Sequence, residues 1–298
     1  MRVFVTGASG FIGSAIVPEL LSAGHQVLAL ARSDTAAKSL TAAGAQVLRG
    51  NLEDLESLRS GAAQSDGVIH TAFNHDFSRF QANCEVDRRA IETMAAAVAG
   101  SNRRPMIISS GVALLTPGRI ATEDQSAAPN SPVPRVLTEV AVDALAARDQ
   151  HVSVVRLAPT VHGDGDHGFV PMLINMAREK GVSAYVGEGN NRWPAVHRLD
   201  AARLYRLALE KNAIGGRYHG VAEEGIPFRE IATVIGRRLN IPVVSKTPEE
   251  AQHHFGWFAH FASIDAPASS RQTRETLGWE PRHPGLIADL DRPRYFDK

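Results

Sequence analysis

The sequence predicts an α/β fold in which a parallel β-sheet is covered by helices on both faces. Three observations carry this. Through residue 160, short continuous apolar runs of strand length alternate with segments whose apolar residues repeat near 3.6. The first of these runs, Arg2 to Thr6, is β-branched and apolar and leads without a break into Gly7-Ala8-Ser9-Gly10-Phe11-Ile12-Gly13 and a helix-like pattern. The chain, at 298 residues and 44% hydrophobic, is long enough for one large or two modest domains. With right-handed crossovers such an alternation winds into a doubly wound Rossmann sheet.

The opening turn organises the rest. Gly7 permits a tight turn with positive φ. Gly10 leaves no Cβ where a pyrophosphate approaches the backbone, and Gly13 lets the helix pack closely on the strand. The backbone N–H groups around Ser9, Phe11 and Ile12 lie at the helix start, where unpaired donors and the positive dipole end favour phosphate. Placed directly between a strand and a helix, this T-G-x-x-G-x-x-G spacing predicts a dinucleotide site.

The remaining elements follow in order. Phe11 to Ala23 is helical, closed by Gly24, with a slight kink expected at Pro18, which cannot donate to the carbonyl of Ser14. Strands are predicted at Val27–Ala31, Gln46–Arg49, Gly67–Thr71, Pro105–Ser110 and Ser153–Leu157. Helices are predicted at Thr35–Ala43, Leu52–Ser60, Asn83–Ala99 and Val136–Ala147. Thr116 to Pro134, rich in Pro, Ala and Ser, reads as the nearest thing to a linker. Past residue 160 the alternation lapses. Helices are expected at Val170–Lys180, His197–Glu210 and Pro227–Leu239, with short strands at Gly216–Gly220 and Pro242–Lys246. Residues 1–160 therefore form the dinucleotide-binding core, to which 195–220 returns, and 161–298 mainly a smaller α+β substrate lobe. Phe255, Trp257, Phe258, Phe261 and Trp279 read as lobe packing, with a substrate-stacking wall as the alternative.

The second strand decides between cofactors. A carboxylate at its end would bond a ribose 2′-hydroxyl and repel a 2′-phosphate. Here the strand ends Ala31-Arg32-Ser33. Arg32 suits a phosphate and Ser33 adds a donor, so NADP(H) is expected and NAD(H) is the alternative, Asp34 being close by.

Composition narrows the setting. Lys+Arg and Asp+Glu are both 32, which gives no charge argument for nucleic acid or a membrane surface. The single cysteine, Cys84, excludes an intramolecular disulfide and a cysteine metal cluster. No apolar run approaches membrane-spanning length and no leader is evident, so a cytoplasmic protein acting on a small molecule is expected. The alanine-rich faces of 83–99 and 136–147 suit a homodimer.

By these residues the chain resembles the extended short-chain dehydrogenase/reductase superfamily, the group of NAD-dependent epimerases and dehydratases. Gly50-Asn51-Leu52-Glu53-Asp54 resembles its segment around the adenine, and Val68-Ile69-His70-Thr71-Ala72 its motif beside the cofactor ribose. Ile108-Ser109-Ser110 resembles its fifth-strand end, and Val155-Arg156-Leu157-Ala158-Pro159 the segment whose proline approaches the nicotinamide. Val196-His197-Arg198-Leu199-Asp200 resembles the V-x-D-x-A segment of the second lobe. The resemblance implies Asn51, Leu52, Thr71, Ala72, Ser109 and Pro159 as further cofactor contacts.

It also implies a Tyr-x-x-x-Lys pair, and here the chain departs. None of Tyr185, Tyr205, Tyr218 and Tyr295 has lysine four residues later. Alignment puts Ser131 at the tyrosine position and Arg135 at the lysine position, with Pro132 and Pro134 disturbing any helix between them. This marks an atypical member. Ser110, Ser131, Arg135 and His162 are the candidate catalytic residues. Arg135 would hold the ribose or polarise a carbonyl, the serines would orient a substrate oxygen, and His162, expected at the mouth of the site, would titrate. His75 and His167 stand on neighbouring loops. No metal is expected from the His162–His167 loop. Arg192 reads either as an anion contact or as part of a turn packed by Trp193. The expected activity is an NADP(H)-dependent oxidoreductase of a small carbonyl or hydroxyl compound. Epimerase or dehydratase chemistry and a non-catalytic redox sensor are the alternatives.

Overall fold

The computed structural model describes residues 1–99, 103–115 and 117–297. Its first half runs β1 (Arg2–Thr6), α1 (Gly13–Ser22), β2 (Gln26–Ala31), α2 (Asp34–Ala42), β3 (Gln46–Arg49), α3 (Leu55–Ala63), β4 (Gly67–His70), α4 (Phe80–Val98), β5 (Met106–Gly111), α5 (Val136–Ala146) and β6 (Val152–Leu157). The second half continues with β7 (Thr160–His162), α6 (Phe169–Lys180), β8 (Ser183–Val186), β9 (Arg192–His197), α7 (Arg198–Lys211), β10 (Arg217–Gly220), β11 (Glu223–Pro227), α8 (Phe228–Leu239) and β12 (Val243–Lys246). Four short helices close it: α9 (Pro248–Phe255), α10 (Ala259–Ser263), α11 (Arg271–Leu277) and α12 (Leu286–Leu290).

Seven strands form one parallel sheet in the order β10-β6-β5-β4-β1-β2-β3. The order reverses on either side of β1, the switch point at which α/β sheets bind ligands beyond the strands' carboxyl ends. Val3, Val5, Ile69, Ile107 and Val155 face one buried layer, while Phe4, Val68, Ile108 and Val154 face the other. Both faces are thus dry, which is why these strands are continuously apolar in sequence. Helix α7 packs its Ala201, Leu204, Tyr205 and Ala208 into the first layer.

A smaller group of strands, β11-β9-β7, and the pair β12-β8 build the C-terminal lobe around Trp193, Phe228, Phe255 and Phe258. β7, β8, β9 and β11 escape the sequence reading for local reasons. β7 has three residues, and β9 contains Pro194, which reads as a turn. The register between β11 and β9 shifts between Glu223 and Ile226, opposite Trp193 to Ala195. Pro194 therefore sits at an irregularity, where a missing N–H is tolerated. The stretch read as a linker, whose first residue Thr116 lies outside the described residues, is pinned down. Ala121 bridges Ala268, the Gly118 N–H donates to the Asp265 carbonyl, and the Gln125 carbonyl accepts from Arg156. Among the described residues, no helix is long and apolar enough to cross a membrane.

Candidate active site

The glycine turn is built as tightly as its spacing requires. Gly7 has φ +68°, and a Cβ there would meet the Ala72 nitrogen at 2.6 Å, while one on Gly13 would meet the Gly7 carbonyl at 2.0 Å. The Gly10 N–H donates to that same carbonyl at 2.9 Å. Among the described residues, the Phe11 and Ile12 N–H groups meet no acceptor at the start of α1, the arrangement that receives a phosphate. Arg198, at the start of α7, stands beside this cradle. It donates to Ser14 Oγ at 3.0 Å and to the Asp164 carbonyl, and its guanidinium lies 4.8 Å from the Phe11 ring centre. The sequence shows Arg198 only as one basic residue in a helix start; its place at the glycine turn depends on α7 packing against α1.

The neighbouring segments flank the glycine turn. Arg32 and Ser33 are exposed at the end of β2, where Ser33 caps α2 by accepting the Ala36 N–H at 3.2 Å. Asp34 pairs with Arg49 at 3.1 Å, whereas Arg32 makes no ion pair among the described residues. The Asn51 side chain accepts the N–H groups of Glu53 and Asp54, and next to it a cavity opens between Leu52, Leu55, Val86 and Arg89. Thr71 Oγ1 donates to the Thr6 carbonyl at 2.9 Å, and the Ala72 N–H reaches Thr6 Oγ1 at 3.4 Å. Pro159 is half-buried between β6 and β7. The glycine cradle, its unpaired N–H groups and the flanking cleft suit a dinucleotide.

Beside this surface lies a buried polar network that the sequence did not announce. Asp87 of α4 is 1% exposed. It accepts from His70 Nε2 at 3.1 Å, Thr138 Oγ1 at 2.7 Å and Arg135 Nη1 at 2.6 Å. With Nε2–H donating to Asp87, His70 Nδ1 is left to accept from Thr6 Oγ1 at 2.6 Å. Burial alone would raise the Asp87 carboxyl. The Arg135 guanidinium and the His70 hydrogen bond outweigh it and hold the carboxyl below the usual carboxylate value. Arg135 also donates to the Ser109 carbonyl at 2.9 Å and lies over the Phe73 ring at 4.0 Å. Ser109 Oγ donates to the His70 carbonyl at 2.8 Å and accepts from Tyr205 at 2.6 Å. Tyr205 is fully buried, which pushes its phenol upward. Arg135 is thus a fixed cation at the ends of β4 and β5, committed on two sides and 15% exposed.

The other candidate catalytic residues are not gathered around it. Ser131 lies before α5, which starts only at Val136, and its hydroxyl accepts the Val133 N–H. It and Arg135 therefore do not share a helical turn. Ser110 alternates to the opposite face of β5 from Ser109 and is buried beside Glu139. That carboxylate takes two hydrogen bonds from Arg156, at 2.9 and 2.7 Å.

His162 corrects its expected position. It is not on a loop at the mouth but on β7, 1% exposed, with Nδ1 2.9 Å from Asp289. The pairing of Thr160 to His162 with Ala195 to His197 turns its ring inward against His197. His75 and His167 do face the cleft side. His167 packs edge-on to Phe11. His75 is exposed at the surface, but desolvation by its neighbours, with the charges of Arg135 and His167, holds it below its ordinary value. Arg192 is likewise corrected: it is no open anion contact, since Nε and Nη2 donate to Asp265 at 3.0 and 2.9 Å, while Trp193 is wholly buried.

Comparison with known proteins agrees with this geometry. The family model described as NAD dependent epimerase/dehydratase family matches residues 3–220. An uncharacterised protein of Schizosaccharomyces pombe is 54% identical over 99% of this chain and 100% of its own length. The 2-alkyl-3-oxoalkanoate reductase of Stenotrophomonas maltophilia is 30% identical, covering 83% of this chain and 78% of its own. The dTDP-glucose 4,6-dehydratase of Streptomyces venezuelae, solved with NAD, superposes with a TM-score of 0.76 at 20% identity over 99% of this chain and 96% of that one. With its glycine cradle, its parallel sheet and its two lobes, the chain belongs to the NAD-dependent epimerase/dehydratase family of the extended short-chain dehydrogenase/reductase superfamily.

Proposed function

We propose that this family member is an NADP(H)-dependent reductase of small carbonyl compounds, with the alcohol dehydrogenase reaction as its reverse. The observation that carries the reading is Arg135, a guanidinium locked by Asp87 and the Ser109 carbonyl where the resemblance puts the family's lysine. The bound dinucleotide supplies hydride chemistry at its nicotinamide. The protein's part is to place and polarise. The Phe11 and Ile12 N–H groups would hold the pyrophosphate, and the unpaired Arg32 would meet the 2′-phosphate. Arg135 stabilises the negative charge that grows on the carbonyl oxygen. With Tyr205 buried against Ser109, the proton that completes the alcohol comes from water at the mouth of the cleft, where His75 stands. The 30% identical relative named as an oxoalkanoate reductase supports carbonyl reduction. Epimerase or dehydratase chemistry leans on the tyrosine that this chain lacks.

The test is NADPH oxidation across a panel of aldehydes, ketones and quinones, with NADPH affinity measured in parallel. Turnover that is lost in Arg135→Ala while NADPH still binds supports the reading. Tight NADPH binding with no turnover on any member of the panel would replace the reductase with a nucleotide sensor.

A further inference from the structure

The segment that follows β4 carries Phe73, Phe77 and Phe80, and the C-terminal lobe meets it with Trp257 and Phe261. The Phe77 and Trp257 rings are stacked, with centres 5.0 Å apart and planes 27° apart. Phe261 closes the triangle, its ring centre 6.2 Å from Phe77 and 6.1 Å from Trp257. In the other direction Phe77 lies 5.5 Å from Phe80, and Phe80 lies 6.1 Å from Phe73. Phe73 in turn carries the Arg135 guanidinium on its face. Aromatic rings therefore run unbroken from the fixed cation of the site to the far lobe.

Two features separate this line of rings from ordinary packing. Trp257 is 53% exposed, whereas Trp193 and Trp279 are 0% exposed and Phe258 is buried in the lobe core. An exposed tryptophan stacked where the two lobes meet has a ring face open to a ligand, which the two core tryptophans do not. Charge points the same way. Arg192 is held by Asp265, Arg198 by Ser14 and the Asp164 carbonyl, and Arg294 by Asp164 and Asp289. These pairs would have to open to serve a diphosphate, and on the Phe77 segment only Arg79 makes no ion pair among the described residues, whereas a neutral ring asks for no cation.

We propose that the substrate is an uncharged aryl aldehyde or aryl ketone whose ring lies against Phe77 and Trp257 while its carbonyl faces Arg135. The proposal rests on the reductase reading above. The loss of one stacking partner is expected to raise the KM for an aryl substrate roughly tenfold.

Trp257 is itself the probe, because the other two tryptophans are buried. The first measurement is acrylamide quenching of the intrinsic fluorescence of the full chain, with and without acetophenone and, separately, UDP-glucose. The second is NADPH-dependent reduction of 4-nitrobenzaldehyde and of propanal by wild type, Trp257→Phe, Trp257→Ala and Phe77→Ala. The expected result is that acetophenone but not UDP-glucose protects the exposed tryptophan. Trp257→Ala and Phe77→Ala then raise the KM for 4-nitrobenzaldehyde roughly tenfold and leave propanal unchanged, and Trp257→Phe restores most of the loss. If both aldehydes are reduced and the alanine variants treat them as wild type does, the aryl proposal is overturned and the reductase reading stands. If nothing is reduced but acetophenone still protects Trp257, the aromatic site stands and the reductase reading falls. Protection by UDP-glucose instead of acetophenone overturns the proposal outright.

Discussion

Replacing Arg32 with alanine separates the two nicotinamide cofactors. In the structure Arg32 is exposed at the end of β2 and makes no ion pair among the described residues, so nothing within the protein is lost on its removal. Asp34, two residues on, pairs with Arg49 at 3.1 Å, and at 90% exposure of its side chain that pair is weak. A hydrogen bond to a charged group is worth about 1.5–3 kcal/mol. An exposed site screened by water keeps about 1–2 kcal/mol of this, which is roughly a five- to thirtyfold rise in the KM for NADPH. NADH has no 2′-phosphate, so its KM should stay within about twofold. The assay is kcat/KM for both cofactors at low and high salt, and the NADPH advantage should shrink with salt in wild type but not in the variant. Equal losses for both cofactors would refute the 2′-phosphate contact and mean that Arg32 acts only on the local backbone.

Other perturbations test other parts of the site. Arg156→Met should cost about 3–5 kcal/mol, seen as a large drop in Tm, because it leaves Glu139 buried and unpaired. Adding Glu139→Gln should recover part of that loss, and no recovery would mean that the pair does not act as a unit. Gly7→Ala should abolish dinucleotide binding or folding, since φ is +68° and the new Cβ would strike the Ala72 nitrogen. Burial pushes the Asp166 carboxyl from 3.8 up to about 6. The charged form is thus disfavoured on folding, and stability present below about pH 4 is lost as pH rises through 6. Asp166→Asn keeps an acceptor for the Gly168 N–H and should stabilise the protein by about 1–3 kcal/mol above that pH and by nothing in acid. A stabilisation independent of pH would refute the assignment. His219 has the opposite sign. Burial lowers it to about 4 from 6.5, so stability should fall as pH drops between those values, and His219→Gln should flatten that limb of the denaturation curve.

The sequence by itself determined the sheet and the phosphate cradle, because both are written in short-range terms. A buried parallel strand must be apolar throughout, and a helix start after Gly7-x-x-Gly10-x-x-Gly13 leaves donors free. The absence of Tyr-x-x-x-Lys was equally legible, since it is a matter of spacing. The tertiary structure decided what long-range contacts alone can decide. Arg135 became a fixed cation only through Asp87, 48 residues away in sequence. His162 turned inward because β7 pairs with β9, and Arg192 is held in an ion pair with Asp265. Trp257 met Phe77 across two lobes whose separate patterns carry no trace of each other. Local propensity sets where strands, helices and turns form. Which side chains share a site is set by packing between elements far apart in the chain, and no residue type or spacing encodes that on its own.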